Sequence, residues 1–264
     1  MALANSLAIL LYLCCGAILI RNFVQREPQA SLLPVNILTI MALIFHGADI
    51  FFTMETVGGW DLNLFSTLSM SSWLMAFIVF IFGTKISKAH PGMIIYPLVT
   101  LSLILQRSLD TDHVTVLSSP ALEWHILLSL VAYSLFVLAA LQAIILAIQE
   151  KQLRQRHLAG IIQKLPPLQS MESGLFQLIT SGFVFLTISL FTGFLFLDDI
   201  FAQHLVHKTV LSIIAWGVFA VLLWGRYQYG WRGKTAIKWT LIGFSFLALA
   251  YVGSKLVLEF ILIK

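Results

Sequence analysis

The sequence predicts an all-α, polytopic integral membrane protein with about eight transmembrane helices and both termini on the outer, periplasmic side. Three observations carry this. Of 264 residues, 59% are hydrophobic and 11% charged, against the roughly 25% charged residues usual in a soluble domain. The apolar residues form long runs instead of the short stripes that a water-soluble helix shows. Between the runs, basic and acidic loops alternate.

A spanning helix needs about 20 mostly apolar residues. The runs that meet or approach this are 3–20, 35–54, 62–82, 92–106, 122–148, 175–197, 207–225 and 236–262. The first has no basic region before it and no clear cleavage site, so it reads as a retained helix and not a signal peptide. Its adjacent Cys14 and Cys15 point about 100° apart on a helix, a geometry suited to packing and unsuited to chelation. The fourth run is short and holds Pro97, tolerable in a membrane helix when neighbours satisfy the freed carbonyl. In and just before the sixth, Gly174, Ser181, Gly182, Thr187, Ser189, Thr192 and Gly193 permit close helix approach and interhelical hydrogen bonds. Paired Pro166 and Pro167 stiffen the entry to it. No repeat, low-complexity tract or soluble insert interrupts the chain, which predicts a single transmembrane domain over 1–264.

The loops set the direction. Arg21 and Arg26, then Lys85 and Lys88, then Lys151, Arg154, Arg156 and Lys164, then Arg226, Arg232, Lys234 and Lys238 place twelve of sixteen basic residues on odd-numbered loops. Even-numbered loops carry Glu55, Asp61, Asp110, Asp112, Glu123, Asp198 and Asp199. By the positive-inside rule the odd loops are cytoplasmic. The net charge of +4 is therefore a topology signal, and nucleic acid is not an expected partner; the lipid bilayer is.

Polar residues inside a membrane are expensive and point to function. His46 lies mid-run, one turn before Asp49; His125 follows Trp124 one turn into the fifth run. Each imidazole is either a ligand or a hydrogen-bonding partner of a neighbouring helix. His204 and His207 fall in a short outer loop, where solvation is the plainer reading, and His113 is also on the outer side. His90 and His157 are on the inner side. The tryptophans lie mostly near run ends, as in an interfacial belt, with Trp60 and Trp124 alternatively an outer platform for a flat ligand. No Ser/His/Asp set, phosphate loop, HExxH or carboxylate pair is present, so the residues predict no enzyme.

From about residue 120 onward the chain resembles the cytochrome c assembly family, which includes the CcsA, CcmC and HemX proteins. Gly182-Phe183-Val184-Phe185-Leu186-Thr187 with Gly193 looks like its GF-x-x-LT helix. Lys208 and Trp216 match the spacing after its outer loop, and Gly230-Trp231-Arg232-Gly233-Lys234 resembles its cytoplasmic turn. Ile242-Gly243-Phe244 opens the last helix; Leu62 to Leu68 is similar to an earlier family segment. The run Leu165 to Glu172, the WRG triplet and Gly253-Ser254-Lys255 place it nearest a small eight-helix branch of the bacterial inner membrane.

The resemblance implies haem as cofactor, with His125 at the position of the histidine preceding the family's WWD loop and so an axial ligand. His204 or His207 is then the opposite ligand, His46 a second site, Trp124 a stacking ring and Lys208 a propionate partner. No metal is expected beyond haem iron at His125. The chain departs from the pattern in three places: Asp198 to His207 contains no tryptophan, Trp224 stands where a histidine is expected, and no second outer histidine follows before Lys264. Those departures keep a second function open, a regulatory or accessory membrane subunit. That subunit would control haem synthesis as HemX-like relatives do, or support another membrane system such as an ion transporter. Its basic fifth loop would dock a membrane or cytoplasmic protein partner.

Overall fold

The computed structural model describes residues 2–25, 32–83, 90–109, 114–115, 120–155, 165–196 and 203–253. Among the described residues the regular structure is helical but for one pair of two-residue strands. The helices are α1 (Ala2–Gln25), α2 (Leu33–Val57), α3 (Leu64–Gly83), α4 (Gly92–Ser108), α5 (Pro120–Arg154), α6 (Leu168–Phe196), α7 (Gln203–Tyr229) and α8 (Lys234–Ala248), the last continued by a π-helical turn at Leu249–Gly253. Six of them, α1, α2, α3, α5, α6 and α7, are long and apolar enough to cross a membrane. Seven of the predicted runs lie on α1 to α7 to within two residues at their ends; the eighth, 236–262, lies on α8 and its π turn as far as Gly253, and 254–262 fall outside the described residues. Of the other two, α4 is apolar but has 17 residues, and α8 has 15 before the π turn.

The chain forms two compact units. In the first, α1 packs on α2 and α4, and α3 packs on α4 and α2. Pro34 starts α2, where its missing N–H costs nothing, and Gly58 at φ 73° ends it in the left-handed conformation. Strand β1 (Trp60–Asp61) pairs antiparallel with β2 (Val114–Thr115), Trp60 opposite Thr115. The entry to α3 is capped by side chains: Asn63 Oδ1 accepts the Ser66 N–H at 2.7 Å, and Asp61 accepts the Ser66 hydroxyl.

In the second unit α5 lies along α6, α7 along α8, and α5 also meets α8. Its centre is Phe136 of α5 stacked on Phe219 of α7, centroids 4.0 Å apart and planes 19° apart. Two motif glycines make room for this stack. A Cβ on Gly182 would sit 3.1 Å from Phe136 Cζ, and one on Gly243 would sit 2.7 Å from Phe219 Cζ. Close approach through glycine is the usual way membrane helices gain packing, since lipid supplies no hydrophobic drive between them. Large apolar side chains elsewhere face outward, Phe191 at 62% and Phe194 at 73% exposure, as lipid-facing surfaces do. Of the adjacent cysteines, Cys14 is exposed and Cys15 buried.

Candidate functional site

His125 is the sixth residue of α5, half-buried against α6. Its Nδ1 lies 2.9 Å from the Ser189 carbonyl oxygen and 3.2 Å from Thr192 Oγ1. A carbonyl only accepts, so the proton sits on Nδ1 and Nε2 keeps its lone pair. Ser129 ties the same spot: its hydroxyl donates to the His125 carbonyl at 2.7 Å and lies 2.7 Å from Ser189 Oγ. The imidazole rests on the backbone of Gly193, where a Cβ would come 2.8 Å from its Cε1. Ser189, Thr192 and Gly193 thus form a socket for the ring. The sequence marked these three only as packing residues of α6 and did not tie them to His125.

The other candidates are dispersed. Trp124 is 65% exposed beside His125. His207 is exposed and Lys208 half-buried on the early turns of α7. His125 and His207 make no hydrogen bond or ring contact with each other among the described residues. His204 lies on the first turn of α7, but its side chain falls outside the described residues, as do His113 and His157 and loop residues 197–202. Among the described residues no group of three His, Cys, Asp or Glu side chains could hold a metal ion.

The motif residues at the other end of the second unit do converge. Glu172, buried on α6, accepts the backbone N–H of Gly233, the residue that precedes α8 with φ 55°. Arg226 donates to the Trp231 carbonyl at 3.1 Å and lies 4.6 Å over the Phe176 ring. Trp231 stacks on Trp239 at 5.7 Å. Glu172 and the WRG turn therefore form one structural clasp. Trp224, 58% exposed, contacts Tyr229 edge-on.

His46 belongs to the first unit and is fully enclosed. Asp49, one turn further along α2, is held by Asn5 of α1, Nδ2 to Oδ2 at 3.0 Å. His46 Nε2 lies 2.9 Å from Ser69 Oγ of α3, and Tyr12 of α1 meets its ring edge-on at 5.9 Å. Tyr12 also contacts Tyr96 of α4 at 5.7 Å. The Tyr96 hydroxyl accepts from Thr39 at 3.3 Å, and Thr39 lies 3.5 Å from Cys15 Sγ. His90, just before α4, contacts the Tyr96 ring at 6.4 Å. Its Nδ1 accepts the Gly92 N–H at 3.1 Å, and burial pushes its pKa below the usual histidine value.

The comparisons with known proteins agree with one another. The family described as "Cytochrome C assembly protein" matches residues 3–262. The inner membrane protein YpjD of Escherichia coli K12 is 32% identical over 262 residues, covering 97% of this chain and 97% of its own. Protein HemX of Brevibacillus brevis is 21% identical, covering 94% and 93% respectively. The cytochrome c biogenesis protein CcsA of Chlamydomonas reinhardtii is 23% identical, over 75% of this chain and 58% of that protein. No solved structure gives a significant match.

Proposed function

Because this chain belongs to the cytochrome c assembly protein family, we propose that it is a multi-pass inner-membrane protein that binds and handles haem in a role related to cytochrome c biogenesis. The observation that carries the reading is the His125 socket. A ligand histidine characteristically donates its second ring N–H to a carbonyl or carboxylate, which fixes the tautomer and raises the basicity of the ligating nitrogen. His125 has that arrangement with Ser189, so its residues fit an axial ligand to haem iron. The half-exposed ring and exposed Trp124 beside it suit a large flat apolar ligand. Haem would supply redox chemistry when bound. The protein's own part is to hold the His125 proton at Nδ1, orient the ring on Gly193 and present Nε2.

His207, with His204 as the alternative, is proposed as the opposite ligand, and Lys208 as the propionate partner. His46 is not carried into this haem reading, because Ser69 occupies one ring nitrogen and the other is enclosed by packed helices. The charge alternation supports a topology with both termini on the outer side, which puts His125 near the outer surface. Reconstitution with haem, followed by titration of wild type and His125→Ala, tests the assignment. At least a tenfold loss of affinity is expected from losing an axial ligand.

A second reading has its own support. The chain matches HemX over nearly the full length of both proteins, whereas it covers 58%, 73% and 71% of three CcsA proteins. An accessory or regulatory subunit without haem transfer accords with that coverage and with the tryptophan-free segment from Asp198 to His207. Crosslinking from loop 5 that captures a defined partner would favour it.

A further inference from the structure

We infer that the groove between α6 and α7 binds the headgroup of an anionic phospholipid, with Arg226 as the phosphate ligand. The groove has a volume of about 380 Å³ and is lined by Ser173, Phe176, Gln177, Thr180 and Ser181 of α6 and by Arg226 of α7. That volume lies within the roughly 300–1,000 Å³ of small-ligand sites. The polar residues of α6 follow one another at one-turn steps on a single helix face, and all are exposed. In hydrocarbon such groups are costly unless bonded. Exposed hydroxyls elsewhere in the spans fold back on their own helix: Thr187 donates to the Phe183 carbonyl at 2.7 Å and Ser245 to the Leu241 carbonyl at 2.8 Å. The hydroxyls of Ser173, Thr180 and Ser181 and the amide of Gln177 instead make no hydrogen bond among the described residues. They are open to a ligand.

Arg226 sets the charge of that ligand. Its guanidinium is held on two sides, over the Phe176 ring at 4.6 Å and by Nη1 donating to the Trp231 carbonyl at 3.1 Å. A guanidinium has five N–H donors. Among the described residues the Trp231 carbonyl is its one acceptor, and no carboxylate pairs with it. Glu172, the neighbouring carboxylate on α6, accepts the Gly233 N–H. Arg232 and Lys234 stand exposed on the turn at the same end. A fixed guanidinium beside hydroxyls and an amide suits the oxygens of a phosphodiester, and basic pockets between membrane helices are sites where anionic headgroups bind.

The continuation of the same face selects a lipid over a free anion. In line with the polar residues, beyond Ser181, stand Val184, Ile188 and Phe191, all exposed and apolar. From Ser181 to Phe191 the helix rises about 15 Å, half the roughly 30 Å hydrocarbon thickness. A surface that is cationic and hydrogen-bonding at one end, then apolar for the depth of one leaflet, complements an amphiphile. The phosphate lies at Arg226 and Gln177, the ester carbonyls accept from Thr180 and Ser181, and an acyl chain runs along Val184 and Ile188.

The test titrates the purified full chain, in a non-ionic detergent, with phosphatidylglycerol, with phosphatidylethanolamine of the same acyl chains, and with inorganic phosphate, read by native mass spectrometry. Wild type should bind its first phosphatidylglycerol about tenfold more tightly than phosphatidylethanolamine, and inorganic phosphate should not compete. Arg226→Gln should abolish the preference. Because Arg226 also holds the Trp231 carbonyl, the decisive variant combines Gln177→Leu, Thr180→Val and Ser181→Ala. It removes exposed donors that bond no described group, so the detergent melting temperature should stay at the wild-type value while phosphatidylglycerol affinity falls about tenfold. Equal affinity of wild type for the two lipids, or undiminished phosphatidylglycerol affinity in the folded triple variant, overturns the inference. So does inorganic phosphate that displaces the lipid, or a dimer in the wild-type spectrum that the triple variant loses, since the groove then holds a free anion or a second copy of the chain.

Discussion

Replacing Gly193 with alanine tests the His125 socket without touching the imidazole. The added Cβ would lie 2.8 Å from His125 Cε1, and ordinary carbon contacts begin near 3.4 Å. The ring must therefore withdraw by about 0.6 Å or more, since repulsion is steep at that range. A shift of that size can lengthen the 2.9 Å hydrogen bond from Nδ1 to the Ser189 carbonyl to as much as about 3.5 Å, beyond the usual 2.7–3.2 Å. Loss of such an outer-shell bond typically costs 10–100-fold in metal affinity. Gly193→Ala should thus weaken haem binding about tenfold or more, while far-ultraviolet circular dichroism stays at the wild-type helical level. Equilibrium haem titration in detergent reads the first quantity directly. Wild-type affinity in a folded Gly193→Ala would refute the claim that the α6 backbone orients the ligand.

Other perturbations follow from the packing. Gly243→Leu drives a side chain into Phe219 and should lower stability by about 1–3 kcal/mol, read as a fall in detergent melting temperature. Glu172→Ala leaves the Gly233 N–H without its acceptor and should cost about 1–3 kcal/mol, seen as faster hydrogen exchange at the start of α8. His90 is buried and accepts a hydrogen bond at Nδ1, so folding favours its neutral form and the unfolded chain takes up the proton first. Stability from this site is complete above about pH 6.5 and declines as pH falls below it, toward the depressed folded value. His90→Asn should flatten that part of a melting profile between neutral and mildly acidic pH.

Helix positions were legible in the sequence because lipid enforces a simple rule on apolar run length, and within the described residues each predicted run lies on a helix. Even α4, short and proline-bearing, was visible. Pairings between helices were not. His46 and Asp49 stand one turn apart and invite an i,i+3 bond, yet each turns to another helix, to Ser69 and Asn5. Period and hydropathy specify which residues share a face but not which faces meet. The polar residues of α1, Asn5 and Tyr12, were missed for that reason, since each is unremarkable within an apolar run until α2 is laid against it. His125 was found by its place within a span, and Gly182 and Gly243 by family pattern. Their reason, room for the Phe136–Phe219 stack, needed coordinates.

The most direct test of the central claim is an oxidised-versus-reduced absorption spectrum of purified, haem-reconstituted protein, beside His125→Ala and His46→Ala. A Soret band and a reduced α-band that survive in His46→Ala and are lost in His125→Ala are the expected result. Absence of both bands from wild type after reconstitution, or their persistence in His125→Ala, would contradict it.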